Sequence, residues 1–276
     1  MFKFDPQKNY RMPPFFGAPD FEPDYEIHLD NAISFKFTFA SDGDKLADYL
    51  PEGFKLLRPE LFVKWNQIRE ADFLHGHGYN MIEIDVPASF NGEKDHLVGD
   101  FPLIIWENKT RPIIGGREES GQPKIYADIE DIHVLGNKHF TTASYEGNTF
   151  MRLEMINPQP VDQNMLKQIN AGALNYNVFG WRYIPKIGAP GADLSQPVLY
   201  PQGMKITGAW TGGGFFQLTQ LSENYKYADV KNQTSDVISL YNIISQLMNL
   251  PIKASEPVMM LKGSLIFKPY SGRVLK

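Results

Sequence analysis

Gly115-Gly116-Arg117-Glu118-Glu119-Ser120-Gly121-Gln122-Pro123-Lys124-Ile125 sets a lysine directly behind a proline, with three glycines in the nine residues before it. The run continues Tyr126-Ala127, so the glycines and the proline read as a tight loop that delivers the chain into a strand near Lys124. A solvated lysine requires neither a fixed φ behind it nor a turn before it. A lysine that must meet a carbonyl carbon gains from a stem of fixed direction. Lys124 therefore reads as an amine nucleophile that forms a Schiff base, against the ordinary alternative of a surface lysine at a loop–strand junction.

Working outward, Leu97 to Trp106 contains Leu103-Ile104-Ile105-Trp106, apolar on both faces, which predicts a central strand just before the loop. Further upstream, Ile33, Phe35, Phe37 and Phe39 alternate with Ser34, Lys36, Thr38 and Ala40, a strand with one buried face. Ser41-Asp42-Gly43-Asp44 supplies cap chemistry for a short helix through Leu50, and residues 61–67 and 78–88 read as strands. Downstream, apolar runs separated by Gly136-Asn137 and Gly147-Asn148 predict an antiparallel meander. Residues 160–173 predict a helix, 176–187 a strand, 188–203 a loop, 207–221 a strand, 235–250 a helix capped at Thr234 or Ser235, and 258–268 a last strand.

Residues 1–24 hold five prolines and several aromatics, a composition for an extended arm that covers its own domain or clasps a neighbouring subunit. No repeat or composition break divides residues 25–276. The expectation is one α+β domain, mainly antiparallel β, closed or nearly closed into a barrel or cone with a few peripheral helices.

Gly116-Arg117-Glu118, four residues, then Pro123-Lys124 resembles the Schiff-base motif of the acetoacetate decarboxylase family, in which the lysine after the proline carries the covalent intermediate. Pro87-Ala88-Ser89-Phe90-Asn91-Gly92, Ala209-Trp210-Thr211-Gly212 and Leu250-Pro251-Ile252-Lys253 are similar to further family segments, in the same order, over residues 25 to 268. The resemblance implies the same fold, a large homo-oligomer and decarboxylase or aldolase-dehydratase chemistry. It also marks departures. The family's second lysine, directly after the first, is here Ile125. An arginine and two glutamates of the family site fall nearest Ala32, Lys64 or Asn66, and Met81.

Composition narrows the alternatives. A net charge of −5 and a pI near 5.7 give no electrostatic reason to expect nucleic acid or an anionic membrane as partner. The absence of cysteine excludes disulfides, thiolate catalysis and cysteine-ligated metal. His75-Gly76-His77 lacks a third ligand at recognisable spacing, so no metal and no cofactor are expected. With no apolar leader and no run of about 18 apolar residues, a cytoplasmic protein is expected.

An amine attacks only when unprotonated, and at the ordinary lysine pKa of about 10.4 fewer than roughly one in a thousand is free at pH 7. Ile125 removes the neighbouring cation, so a dry surround is the expected activator of Lys124. Around it, Arg117 is a candidate to hold a substrate carboxylate and Glu118 to move protons, or the two form a structural ion pair. Glu83, two residues beyond Met81 and on the same strand face, is the candidate to replace a missing acid. Gln122 and Tyr126 share the face of Lys124 as substrate contacts, with Met81 and Trp210 near the pocket. The predicted function is a Schiff-base lyase acting on a small keto acid; the competing class is a binding protein that uses the same pocket without turnover.

Overall fold

In the first strand, β1 (Ile27–Ala40), Phe35, Phe37 and Phe39 are all buried, which contributes roughly 1.5–3 kcal/mol for each ring removed from water. Because strand residues alternate faces, Lys36 and Thr38 turn the other way. This computed structural model describes residues 2–222 and 240–276 of the chain. Ser41-Asp42 leads into α1 (Gly43–Ala47), whose first amides are accepted by the Asp42 carboxylate as the sequence predicts.

β1 pairs antiparallel with β3 (Glu60–Ala71), β3 with β4 (Tyr79–Asn91), and β4 with β5 (His96–Glu107), while β2 (Phe54–Leu56) joins the end of β4. The doubly apolar β5 is central, as expected. Its free edge is shared by two parallel partners, β6 (Lys124–Tyr126) at its C-terminal end and β11 (Tyr176–Pro185) at Asp100. The meander follows as β7 (Asp128–Ile129), β8 (His133–Leu135), β9 (Lys138–Tyr145) and β10 (Asn148–Pro160). β12 (Ala192–Gln202), β13 (Met204–Leu218), β14 (Ala254–Ser255), β15 (Val258–Phe267) and β16 (Arg273–Val274) complete the sheet.

The strand order β16-β12-β11-β5-β4-β3-β1-β15-β13-β10-β9-β7 corrects the expected closure. The two terminal strands do not pair with each other among the described residues, and each is only two residues long, too short to zip a barrel shut. The sheet is open and, with parallel pairing among the described residues only at β5–β6 and β5–β11, mainly antiparallel as expected. α3 (Gln163–Ala173), capped by Asp162, packs on β13, and α4 (Leu240–Met248) buries Leu240, Ile244 and Leu247. The cap and first turn expected at Thr234 to Val237 lie outside the described residues.

Two predicted loops are ordered elements. Residues 192–202 form β12, and the glycine run after β5 forms α2 (Thr110–Glu118). The arm turns at Pro14–Phe16, bridges back on itself between Lys8 and Asp20, and lies on its own chain. Phe21 stacks edge-on against Tyr270 with centroids 4.7 Å apart, and Arg11 pairs with Glu119 just beyond α2.

Register sorts the sheet into rows that run across the strands. Phe35, Trp65, Ile82, Trp106 and Ile125 stand opposite one another from β1 to β6, and the first four are fully buried in the main core. The adjacent row, on the other face, reads Lys36, Lys64, Glu83, Ile105 and Lys124. Strand alternation therefore puts Ile125 against the core, where a second lysine would be costly, and Lys124 on the face that carries charge.

Candidate active site

A cavity of about 640 Å³ opens on that second face. Its walls come from β3, β4, β5, α2, β11, β12, β15 and the arm, and Lys124 lies in its lining. The Lys124 side chain is only 14 % exposed.

Helix α2 explains the glycines. Glycine inside a helix costs about 1 kcal/mol relative to alanine. At Gly116, however, a Cβ would stand 2.4 Å from Lys124 Cδ and 2.6 Å from Cε, so the bare backbone is what lets the lysine stem lie against the helix. Gly121 turns the chain with φ +61°, in the left-handed region that favours glycine. The Gly116 carbonyl then accepts the amides of Ser120 and Gln122, and Arg117 donates to the Lys124 carbonyl at 2.9 Å. These bonds clamp both sides of the Pro123-Lys124 unit to the helix end.

The Lys124 Nζ donates to Glu107 Oε1 at 2.8 Å and to the Pro112 carbonyl at 3.3 Å. Glu107 is the last residue of β5 and is completely buried; its second oxygen, Oε2, has no hydrogen-bond partner. Burial pushes its carboxyl above the usual range, and Lys124 pulls it partly back. A carboxylate so placed binds a proton more readily than one in water, so it is a fitting acceptor for a proton leaving the amine. The sequence reading missed Glu107. It follows an apolar run with no local signature, and only the parallel β5–β6 pairing brings it to Lys124.

Of the residues predicted for the site, Glu83, Met81 and Gln122 join Lys124 in the cavity lining. Glu83 stands one residue across from Ile105, in the row of Lys124. It also belongs to a partly buried ionic cluster in which Lys64 Nζ lies 2.6 Å from Asp85, 2.8 Å from Asp100 and 3.6 Å from Glu83. Burial and the charge of Glu83 hold the Asp85 carboxyl well above its usual range; at Lys64 burial pulls the ammonium down, and the three carboxylates together outweigh this and raise it. Gln122 donates from Nε2 to the Phe179 carbonyl at 3.2 Å, and its Oε1 is buried without a partner.

Four predicted residues are placed elsewhere. Arg117 is spent on the Lys124 carbonyl, and Glu118 offers its own carbonyl to Arg182; neither lines the cavity, and among the described contacts they do not pair with each other. Tyr126 is 45 % exposed at the strand end and bonds Asp128 at 2.5 Å. Trp210 lies on β13 under the Lys262 ammonium, away from the lining. Cationic groups in the cavity come instead from Arg111, at the start of α2, and from Arg11 of the arm, which meets Glu119 there. Among the described residues no group of three or more His, Cys, Asp or Glu is placed to hold a metal. His75 and His77 sit in the turn after Asp72–Leu74.

A strand-built cavity with a lysine and a buried glutamate in contact defines an amine-bearing site on an open mixed sheet. The chain belongs to the acetoacetate decarboxylase family, whose model matches residues 11–242. The crystal structure of acetoacetate decarboxylase from Legionella pneumophila is similar at 21 % identity, covering 94 % of this chain and 92 % of that one, with a TM-score of 0.71. An acetoacetate decarboxylase-like enzyme from Sphingomonas wittichii RW1 aligns over 98 % of both chains at 15 % identity and a TM-score of 0.67. The enduracididine biosynthesis enzyme MppR, complexed with pyruvate, aligns over 97 % of both at 13 % identity and 0.68. No protein of curated function matches the sequence. Among the described residues no helix is long and apolar enough to cross a membrane.

Proposed function

We propose that the protein is a Schiff-base lyase acting on a keto acid, with Lys124 as nucleophile and Glu107 as the group that takes and returns its proton. The observation that carries this reading is the 2.8 Å contact between Lys124 Nζ, which lines a cavity large enough for a substrate, and a fully buried carboxylate behind it. Family membership supports decarboxylase or aldol-type chemistry, and MppR, solved with pyruvate, offers a keto acid precedent on this fold.

In the proposed sequence the Nζ proton passes to Glu107, and the free amine attacks the substrate carbonyl carbon. The carbonyl oxygen takes one proton back from Glu107 and one from the attacking nitrogen and leaves as water, giving an iminium. In decarboxylation the bond to the carboxylate breaks, its electron pair enters the iminium to form an enamine, and carbon dioxide departs. The enamine carbon then takes a proton, for which Glu83 is the proposed donor, and water hydrolyses the iminium to release ketone and amine. An aldol reaction would use the same enamine against an aldehyde. Arg111, rather than Arg117, is the proposed partner of the substrate carboxylate, because it lines the cavity. The roles of Gln122 and Met81 are proposed as contacts on the bound acid.

Borohydride reduction in the presence of acetoacetate or pyruvate, read by intact mass, tests the reading. One adduct, on Lys124, is expected in the wild type and none in K124A. E107Q keeps the hydrogen-bond acceptor but not the proton acceptor, and should slow labelling at neutral pH roughly a hundredfold, with recovery as pH rises. An adduct that persists in K124A, or no adduct with any carbonyl compound, refutes the assignment and leaves the binding-protein reading. Homo-oligomerisation is proposed from the exposed aromatics Phe4, Phe15 and Phe16 on the arm. Light scattering of the full chain decides it.

A further inference from the structure

The cavity is polarised along the strands. The row containing Glu83 and Lys124 is charged; one step on, Asn66, Met81 and Glu107 stand opposite one another; a further step brings Ile68 opposite Tyr79. Beyond that one wall is apolar, edged on its Phe73 side by Arg111, whose guanidinium stands 5.7 Å over that ring and donates to the Phe73 carbonyl. Ile27, Ile68, Phe73, Tyr79, Leu265 and Phe267 all face the cavity and form, with Leu29 and Ala71, a hydrophobic cluster separate from the main core. Met81 belongs to this cluster and also stands opposite Glu107, so the apolar wall begins one row from the reactive pair.

Acetoacetate does not need this wall. From Glu83 to Tyr79 is four residues, about 13 Å of strand, the length of an extended chain of about ten atoms. A volume near 640 Å³ lies in the range that encloses drug-sized ligands rather than a four-carbon acid. We propose that the substrate is a keto acid carrying an extended apolar tail, its carbonyl at Lys124 and its tail along Met81, Ile68 and Tyr79 toward Leu265 and Phe267. This rests on the Schiff-base reading for the carbonyl end; the tail site stands on its own geometry.

The experiment is a concentration series of borohydride trapping on the full chain with acetoacetate, 3-oxohexanoate and 3-oxodecanoate. In parallel, binding of butyrate, hexanoate and decanoate to K124A is measured by calorimetry. Half-saturating concentrations should fall at least about tenfold from the four-carbon to the ten-carbon acid, because each added methylene leaves water for an apolar wall. L265W, which fills that wall, should collapse the preference between long and short acids; if it does not fold, F267S serves, judged by the same ratio. Equal or better trapping of acetoacetate overturns the tail proposal and leaves the Schiff-base reading intact. No trapping with any acid, but length-dependent binding to K124A, removes the nucleophile and keeps the tail site. Loss of both trapping and length dependence sinks the two together.

Discussion

Gly116 is where the cost of a helix-breaking residue is exchanged for close packing of the Lys124 stem against the helix. Alanine there gains up to about 1 kcal/mol of helix propensity and loses it again against the Lys124 stem, so G116A should melt within about 1 kcal/mol of the wild type. The displaced atoms are the flexible end of a side chain, which yields before the backbone does. Labelling of Lys124 should nevertheless fall by roughly a hundredfold, since a displacement of about 1 Å at a reacting group has that effect. A variant that labels normally would show that the stem does not need the helix. That Lys124 lines a cavity was legible from the motif, because proline, glycines and lysine sit side by side in the chain. Glu107 was not legible, because its partner comes through sheet pairing seventeen positions away.

At the scale of elements, the two misread loops share a cause: proline and glycine were weighed without their neighbours. In β12, Pro197 and Pro201 lie on a strand paired along its whole length to β11 but touched on the other side by β16 only at Val198 and Leu199. An edge with few partners has little use for the missing amides. In α2, Pro112 occupies the first turn, where an amide would have had no helical partner. By contrast β1, β5 and α1 were legible from alternation, a doubly apolar run and an Asp42 cap. The arm is held over the cavity by the Arg11–Glu119 pair, both of whose residues line it. R11A should cost under about 1 kcal/mol in unfolding, as exposed ion pairs do. It should raise half-saturating substrate concentrations several-fold and speed tryptic cleavage at Lys8. Unchanged saturation would mean that the arm's cover does not contribute to binding.

Across the whole molecule, one lysine and three carboxylates are packed together between β3, β4 and β5, with Asp85 fully buried among them, and Asp85 ties stability to pH. Asp85 is held above the usual carboxylate range by burial and by Glu83, so its folded form keeps a proton that the unfolded chain gives up earlier. Below the ordinary range the wild type and D85N should differ least. As pH rises toward neutrality the wild type should lose stability relative to D85N. Urea unfolding of both proteins at about pH 4.5 and pH 7.5 checks this; a difference that stays constant or shrinks contradicts it. Closure of the sheet was the global feature that sequence could not give, because pairing between distant strand edges leaves no mark on either strand.

The two adjacent rows on opposite faces, Phe35 to Ile125 and Lys36 to Lys124, make the placement of the amine a matter of parity. Exchanging only Lys124 and Ile125 would preserve composition, charge and strand propensity, yet it would drive an ammonium among tryptophans and leave an inert methyl surface where the amine had been. Any redesign that slips β6 along β5 must therefore do so by an even number of residues, or the amine changes sides.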